Sequence, residues 1–150
     1  MVEASARRGA WHPMRTAIDT NVISCLWSSN PLAAQVAGLL SQASNEGGLV
    51  ICGPVYAELL AHPKATERFV DEFLSATSIE VDSLLDEEIW RESGRRFAAC
   101  AGRRRKSGGG PPKRLLVDFV IGGHASLCAD RLMTLDPDRY VKDFPRLRLI

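Results

Sequence analysis

Short apolar segments alternate with segments of helical periodicity along most of this chain. The segments predicted to form strands are the run that ends at Asp19 and residues 49–52, 78–81, 131–135 and 147–150. Residues 49–52, Leu-Val-Ile-Cys, are wholly apolar, as in a strand buried on both faces. Strands that alternate with helices indicate a parallel sheet between helical layers. We therefore predict an α/β fold, a three-layer α/β/α sandwich with a central, mostly parallel sheet.

The helices are predicted from apolar spacing and from punctuation by Pro, Gly and capping residues. They are residues 22–27, a helix from residue 31 to about 45, and residues 54–60, 64–74, 82 or 83 to about 101, and 115–128. Thr20 or Asn21 is predicted to cap the first helix. Gly122 and Gly123 lie inside the last helix, where each costs about 1 kcal/mol relative to Ala. We therefore expect a close packing contact on that helix.

Composition favours an ordinary soluble domain. The chain has 150 residues, 45% of them apolar and 25% charged, with a formal net charge of +1. This supports one domain over residues 14–150, preceded by a flexible leader at residues 1–13, and Met14 is an alternative start. The four cysteines lack metal-site spacing, so we expect reduced core residues in a cytoplasmic protein. No apolar run approaches the roughly 18 residues of a membrane span.

Acidic residues follow several of the predicted strands. Asp19 comes directly after the first strand, Glu58 lies one turn into the helix after the second, and Asp136 follows a later strand. In a parallel α/β sheet, strand ends and the starts of the following helices share one edge. Asp118 follows no strand, so its inclusion assumes that its helix begins near the same edge. The pattern predicts a cluster of carboxylates there.

Such a cluster suits divalent cations. Neighbouring carboxylates repel one another unless cations lie between them, and Mg²⁺ or Mn²⁺ binds oxygen ligands of this kind. These ions can activate water and offset the charge of a phosphate. Taken singly, each acid is more often a solvated helix acid or a cap. Glu58 and Asp118 are embedded in apolar runs, which favours a site, and the absence of His or Cys beside the acids disfavours zinc.

Four segments in order resemble the motifs of PIN-domain nucleases, and most closely those of VapC-type toxins of bacterial toxin–antitoxin pairs. They are IDTNV (residues 18–22), VYAEL (55–59), VDFVIGGHA (117–125) and LMTLD (132–136). The resemblance covers residues 14–150. It implies an endoribonuclease that uses Mg²⁺ or Mn²⁺, a cognate VapB-like antitoxin that blocks the site, and a homodimer.

The resemblance also implies roles for individual residues. Asp19 and Asp118 would be the main metal ligands, Glu58 would complete the site, and Asp136 would be a more variable fourth acid. The polar residues expected to support this cluster are Thr20, Asn21, Thr134 and Asp138, the last of which can also share the role of Asp136.

A basic segment precedes Asp118 and departs from the family pattern. Residues 103–114 hold six cations, no acid, three glycines and two prolines, and are predicted to form a loop. We expect its cations to guide RNA phosphates towards the acids, with an affinity that falls as salt rises. The alternative is a solvated loop without a ligand. The candidate RNA-binding residues are Arg103, Arg104, Arg105, Lys106, Lys113 and Arg114.

Three other functions remain open from the sequence. The first is a PIN nuclease that processes RNA without an antitoxin, and the second is an inactive domain that only binds RNA or protein. The third is a phosphatase with Asp19 as nucleophile, although Asn21 stands where that chemistry usually needs a second acid. His124 is expected to be a core or surface residue rather than a catalytic one.

Overall fold

Four parallel strands form the central sheet of the computed structural model, which describes residues 13–109 and 115–150. The strands are β1 (Thr16–Ile18), β2 (Leu49–Cys52), β3 (Ile79–Asp82) and β4 (Arg131–Met133). Their order across the sheet is β3-β2-β1-β4, and each neighbouring pair is parallel. All residues of β1, β2 and β4 are buried, as the wholly apolar run in β2 predicted. The predicted α/β fold is confirmed.

Seven helices flank this sheet in the described part of the chain. They are α1 (Thr20–Trp27), α2 (Ala33–Glu46), α3 (Gly53–Leu59), α4 (Glu67–Ala76), α5 (Glu87–Lys106), α6 (Leu116–Cys128) and α7 (Asp138–Val141). The chain crosses from β1 to β2 to β3 in one direction and returns to β4 in the other. Because such crossovers are right-handed, α1–α4 and α5–α6 cover opposite faces. The result is an α/β/α sandwich of the predicted PIN-like kind.

The first turn of α1 corrects one detail of the sequence analysis. The helix already begins at Thr20, so the prediction that Thr20 or Asn21 caps it is wrong. Asp19 is the N-cap, with extended backbone (φ −75°, ψ 152°) and a side-chain oxygen that accepts the amide of Thr20 at 2.8 Å. A short acid satisfies an otherwise unpaired donor at a helix start. The carboxylate is therefore fixed at the junction between β1 and α1.

Helix α5 also differs from its prediction. It begins at Glu87, after Asp86 caps it by accepting the amide of Ile89 at 3.1 Å, and it continues to Lys106. The predicted loop is therefore wrong for residues 103–106, which form the last helical turn. Arg and Lys are good helix formers, and cations at a helix C-terminus interact favourably with its dipole. The chain leaves the helix only at Ser107.

At the other end of the sequence, residues 147–150 do not form the predicted strand. Leu149 makes a single isolated parallel bridge with Leu132. The amide of Leu132 donates to Arg148 at 2.9 Å, and the amide of Ile150 donates to Leu132 at 3.0 Å. This segment therefore covers the edge of β4 without extending the sheet as a regular strand.

The two glycines of α6 lie at close contacts, as predicted. A Cβ atom at Gly122 would come within 2.4 Å of the Phe144 ring, and one at Gly123 would come within 2.4 Å of Ser93 Oγ on α5. A side chain at either position would displace a neighbour. The absence of a side chain allows α6 to pack against α5 and against the segment after α7.

Some predictions concern residues that the structure does not describe. Residues 1–12 of the predicted leader, and Lys113 and Arg114 of the basic segment, lie outside the described residues.

The four cysteines are unpaired thiols, of which Cys25, Cys52 and Cys100 are buried. None of the helices in the described ranges is both long enough and apolar enough to cross a bilayer.

Candidate active site

Asp19 is buried and held by neutral donors at the carboxyl end of β1. It is 2% exposed. Its Oδ2 accepts the hydroxyl of Tyr140 at 2.8 Å and the hydroxyl of Thr134 at 2.9 Å, while Oδ1 accepts the amide of Thr20. The side-chain amide nitrogen of Asn21 also lies 3.4 Å from Oδ2. These donors stabilise a buried carboxylate and fix its orientation.

Tyr140 is a strong donor in this arrangement because its hydroxyl remains protonated. Burial raises the pKa of Tyr140, and the charge of Asp19 together with the hydrogen bond to it raises that pKa further. The side chain is fully buried at the start of the segment that follows β4. Tyr140 therefore links α7 to the β1–α1 junction.

Glu58 reaches the same edge of the sheet from α3. Pro54 lies in the first turn of this helix, directly after β2. The Thr20 hydroxyl donates to Glu58 Oε1 at 2.7 Å, so the two strand–helix junctions are joined through side chains. Glu58 is exposed although its sequence neighbours are apolar, because it lies on the solvent side of α3.

Burial and the charges of the same carboxylates affect the pKa of the Cys52 thiol. Burial is the main reason that the pKa of Cys52 rises to about 11, and the charges of Glu58 and Asp19 add to it. Cys52 is therefore a protonated thiol near neutral pH.

Asp118 and Asp136 both contact the guanidinium of Arg139. Asp118 lies in the first turn of α6, and its Oδ1 is 3.6 Å from Arg139 Nη1. The Nε atom of Arg139 lies 2.8 Å from Asp136 Oδ2. Burial alone lowers the pKa of Arg139, but the charges of Asp118, Asp136 and Asp19 outweigh it and raise that pKa overall. The guanidinium stays charged between the acids.

A single open cleft contains most of the predicted acids. The residues that line it are Glu58, Leu115, Val117, Asp118, Asp136, Asp138 and Arg139. Asp19 is joined to this cleft through Thr134, whose hydroxyl donates to its carboxylate at 2.9 Å and accepts the amide of Asp136 at 3.1 Å. The assumption that α6 begins near this edge, on which the inclusion of Asp118 depended, agrees with its position.

The supporting residues differ in what they contact. Asn21 accepts the amide of Leu135 at 3.0 Å and its own amide group lies near Asp19 and Thr134, so it ties α1 to the end of β4. Thr134 is buried and central to the cluster. Asp138 is exposed, and also lines a second depression beside the end of α5.

The basic end of α5 adjoins this cleft. Arg103 and Arg104 line the second depression together with Asp138, Lys142 and Asp143. Arg103 forms an ion pair with the buried Asp143, so its charge is largely matched within the protein. The shared lining residue, Asp138, shows that the basic helix end and the acidic cleft are neighbours.

The donor set fits a hard divalent cation. The polar side chains that line the cleft are carboxylates and one guanidinium, and no His or Cys is among its described lining residues. The guanidinium of Arg139 already places positive charge between Asp118 and Asp136. Oxygen-only ligands suit Mg²⁺ or Mn²⁺ better than zinc.

Sequence reasoning missed Tyr140 and Arg139, which both come from α7. No helix was predicted for residues 138–141, which form α7. A spacing signal existed for Arg139, which lies three residues after Asp136 and so faces it on a helical turn. No local signal identifies Tyr140, because its bond to Asp19 spans 121 positions.

Comparisons with known proteins agree with this fold. The PIN domain profile matches residues 16–146. No curated protein matches the chain significantly. Among solved structures, VapBC2 from Rickettsia felis, bound to a DNA fragment from their promoter, is similar over 91% of this chain and 98% of its own, with 20% identity and a TM-score of 0.59.

Two further solved structures are similar to the same extent. VapBC-1 from nontypeable Haemophilus influenzae has a TM-score of 0.62 at 21% identity, over 91% of this chain and 97% of its own. FitAcB from Neisseria gonorrhoeae has a TM-score of 0.59 at 18% identity, over 90% and 96%. The profile match spans most of the sequence and confirms the resemblance carried by the four motifs. The chain belongs to the PIN domain family.

Proposed function

We propose that this protein is a VapC-type toxin, an endoribonuclease that hydrolyses RNA phosphodiester bonds with Mg²⁺ or Mn²⁺ held by carboxylates. The observation that carries the proposal is one open cleft lined by Glu58, Asp118 and Asp136 from separate parts of the chain, with the buried Asp19 joined to it through Thr20 and Thr134. Membership of the PIN domain family supports the same chemistry.

Asp19 and Asp118 are the proposed main metal ligands. Oδ2 of Asp19 already accepts two hydroxyl groups, whereas Oδ1 accepts one backbone amide among the described residues. A carboxylate oxygen has two lone pairs, so Oδ1 keeps one for a cation. Glu58 and Asp136 complete the oxygen set. A bound Mg²⁺ or Mn²⁺ would polarise the phosphate and lower the pKa of an attacking water.

Glu58 has a second role besides its place in the oxygen set, and the roles of Arg139, Tyr140 and Thr134 need no metal contact. Glu58 is exposed and held on one oxygen by Thr20, so its other oxygen is available to accept a proton from the attacking water. Arg139 is half-exposed and stays charged, so it can bind a non-bridging phosphate oxygen as negative charge grows there. Tyr140 and Thr134 hold Asp19 in place.

RNA reaches the cleft, in this proposal, along the basic end of α5. Arg104, Arg105 and Lys106 form its last turn, next to the depression that shares Asp138 with the cleft. Contacts from these cations to phosphates would be independent of sequence and weakened by salt. Replacing all three with Gln should reduce RNA affinity and the slope of affinity against salt. Unchanged affinity and slope would remove the helix end from the RNA path.

The partners are also part of the proposal. The similar VapBC structures support a cognate antitoxin for this chain, and the family resemblance supports a homodimer. Co-expression of a neighbouring antitoxin gene should yield a stable complex with reduced RNA cleavage. Light scattering of the purified chain should give twice the monomer mass. A monomer, or full cleavage in the presence of the neighbouring protein, would contradict these two points.

Cleavage of total RNA tests the activity itself. The wild type should cut RNA with Mg²⁺ or Mn²⁺ and lose this activity in EDTA, and Asp118→Asn should be inactive with either ion. Glu72→Gln is the matched control, since Glu72 is an exposed acid on α4 that pairs with Arg68 away from the cleft. Equal cleavage by the wild type and Asp118→Asn would refute the proposal.

A further inference from the structure

A second group of potential ligands lies at the opposite end of α6 from Asp118. Asp82 ends β3, and His124 and Cys128 lie on α6. One ligand atom from each side chain lies within 4.8 Å of the other two, and His124 Nε2 is 3.1 Å from Asp82 Oδ2. These three residues play no part in the acidic cleft. They combine a carboxylate, an imidazole and a thiol at one point.

We propose that Asp82, His124 and Cys128 form a zinc-binding site that fastens the end of β3 to α6. The site does not depend on the proposed nuclease function. The spacing of His124 and Cys128 is one helical turn, which places both side chains on the same face of α6. Asp82 approaches that face from the sheet, so the ligands come from two elements that are distant in sequence.

The distances suit a tetrahedral ion. Ligand atoms about 2.0–2.3 Å from zinc are separated from each other by roughly 3.5 Å. Atoms that now lie within 4.8 Å of one another therefore need to move by about 1 Å or less. Asp82 and Cys128 are half-buried, so an ion and a water as fourth ligand have access from solvent.

The chemistry of the ligands selects zinc over the ions proposed for the cleft. Imidazole nitrogen and thiolate sulfur are preferred by zinc, whereas Mg²⁺ takes oxygen ligands. Zinc binds histidine through the neutral imidazole, which is the ordinary form of the side chain above a pKa of about 6.5. As the Zn–S bond forms, the Cys128 thiol releases its proton to solvent.

The charges around the site are mostly negative, because Asp82 and Asp86 both act on Cys128 and Arg15 opposes them. Arg15 donates to the carbonyl of Cys128 at 3.1 Å, and its guanidinium also pairs with Glu80 at 3.2 Å. Asp82 and a Cys128 thiolate together carry two negative charges, which match the charge of one zinc ion. The arginine therefore does not leave a net repulsive field at the site.

The site is separate from the cleft along the helix. His124 and Cys128 lie six and ten residues beyond Asp118, and a rise of 1.5 Å per residue makes these separations about 9 and 15 Å. An ion at the cleft and an ion at this site can therefore bind at the same time. This separation allows the two to be distinguished by substitution.

Cobalt binding to the full-length chain tests the proposal, because a Co²⁺–thiolate bond has a characteristic charge-transfer absorption. One equivalent of Co²⁺ should produce this band in the wild type and in Asp118→Asn, and zinc should abolish it by displacement. The band should be absent in Cys128→Ala. Cys100→Ala, which removes a thiol elsewhere on the same protein, should keep it.

Zinc affinity gives a second measurement that does not need the thiol. Competition with a chromophoric chelator should show at least a tenfold loss of affinity in Asp82→Asn. Zinc should also raise the melting temperature of the wild type but not of Cys128→Ala. The proposal is overturned if the wild type shows no cobalt–thiolate band, if the band survives in Cys128→Ala, or if zinc affinity is unchanged in both variants. In that case the bond between His124 and Asp82 is only structural.

Discussion

The two halves of the acidic cleft hold their carboxylates in different ways. On the β1 side, Asp19 is buried and bound by hydroxyl and amide donors from Thr20, Thr134 and Tyr140. On the α6 side, Asp118 and Asp136 face the cation of Arg139. Neutral donors fix a carboxylate without neutralising it, whereas the guanidinium also supplies opposite charge. Asp19 is therefore neutralised less than Asp118 and Asp136, which contact Arg139 directly, although its charge also acts on that guanidinium.

The largest loss of activity is expected from a substitution of Asp19, on the β1 side of the cleft. Asp19→Asn removes the charge of a buried acid that only neutral donors contact among the described residues. We predict more than about a hundredfold loss of metal-dependent RNA cleavage, since even residues that only support metal ligands cost ten- to a hundredfold. Steady-state cleavage assays at saturating Mn²⁺ measure this. Activity within tenfold of the wild type would show that Asp19 is not a ligand.

Tyr140→Phe tests whether neutral donors hold the Asp19 carboxylate in place on the β1 side of the cleft. Removing one hydroxyl leaves the buried Asp19 with a donor fewer, so we expect a loss of about 1.5–3 kcal/mol in the free energy of unfolding, the range for hydrogen bonds to charged groups. Cleavage should fall about ten- to a hundredfold because Asp19 loses its fixed orientation. Urea denaturation and the cleavage assay report the two effects separately.

Tyr56→Phe is the matched control for this experiment. The Tyr56 hydroxyl also donates to a carboxylate, that of Asp71 at 2.8 Å, but this contact is at the surface. The control should lose less stability than Tyr140→Phe and keep its activity, because its contact is exposed to solvent. Equal losses in the two variants would mean that burial of Asp19 does not strengthen its bond to Tyr140.

Arg139→Gln tests the opposite half. A guanidinium about 4 Å away repels a divalent ion by about 2 kcal/mol in water, so its removal should tighten Mn²⁺ binding by about five- to tenfold after screening by salt. Cleavage at saturating Mn²⁺ should fall, because the phosphate loses a partner. Isothermal titration and cleavage kinetics would separate these changes. Arg91→Gln, which removes an exposed partner of Glu87, should leave both values unchanged.

The smallest predicted effect concerns His124, at the far end of α6. Burial lowers its pKa in the folded protein below the ordinary value of 6.5. The unfolded chain therefore binds more protons as the pH falls below 6.5, and stability decreases there by at most about 1.4 kcal/mol per pH unit. Denaturation between pH 7.5 and 5 should show a shallower loss in His124→Gln than in the wild type.

The sequence predicted much of this cleft because a general rule applies to parallel sheets. Asp19, Glu58 and Asp136 each follow a strand, and the ends of parallel strands share one edge, so their approach needs no knowledge of packing. Asp118 follows no strand. Its inclusion rested on the assumption that α6 begins near the edge, together with the family resemblance.

The contacts that sequence reasoning missed are tertiary. Tyr140 reaches Asp19 across 121 positions, and its segment has no periodic pattern long enough to identify a helix. The loop predicted for the basic segment was wrong at residues 103–106 for another reason. The glycines and prolines that predict a loop all come after residue 106, whereas Arg103 to Lys106 favour helix and extend α5 to its charged end.

Direct binding of Mn²⁺ is the most decisive measurement for the central claim that distant carboxylates form one cation site. Electron paramagnetic resonance of free Mn²⁺ should show saturable binding to the wild type and to Glu72→Gln. It should show at least a hundredfold weaker binding to Asp19→Asn and to Asp118→Asn alike, because each residue contributes to the same site. Wild-type affinity in either of these two variants would contradict the account, since the two halves of the cleft would then not share an ion.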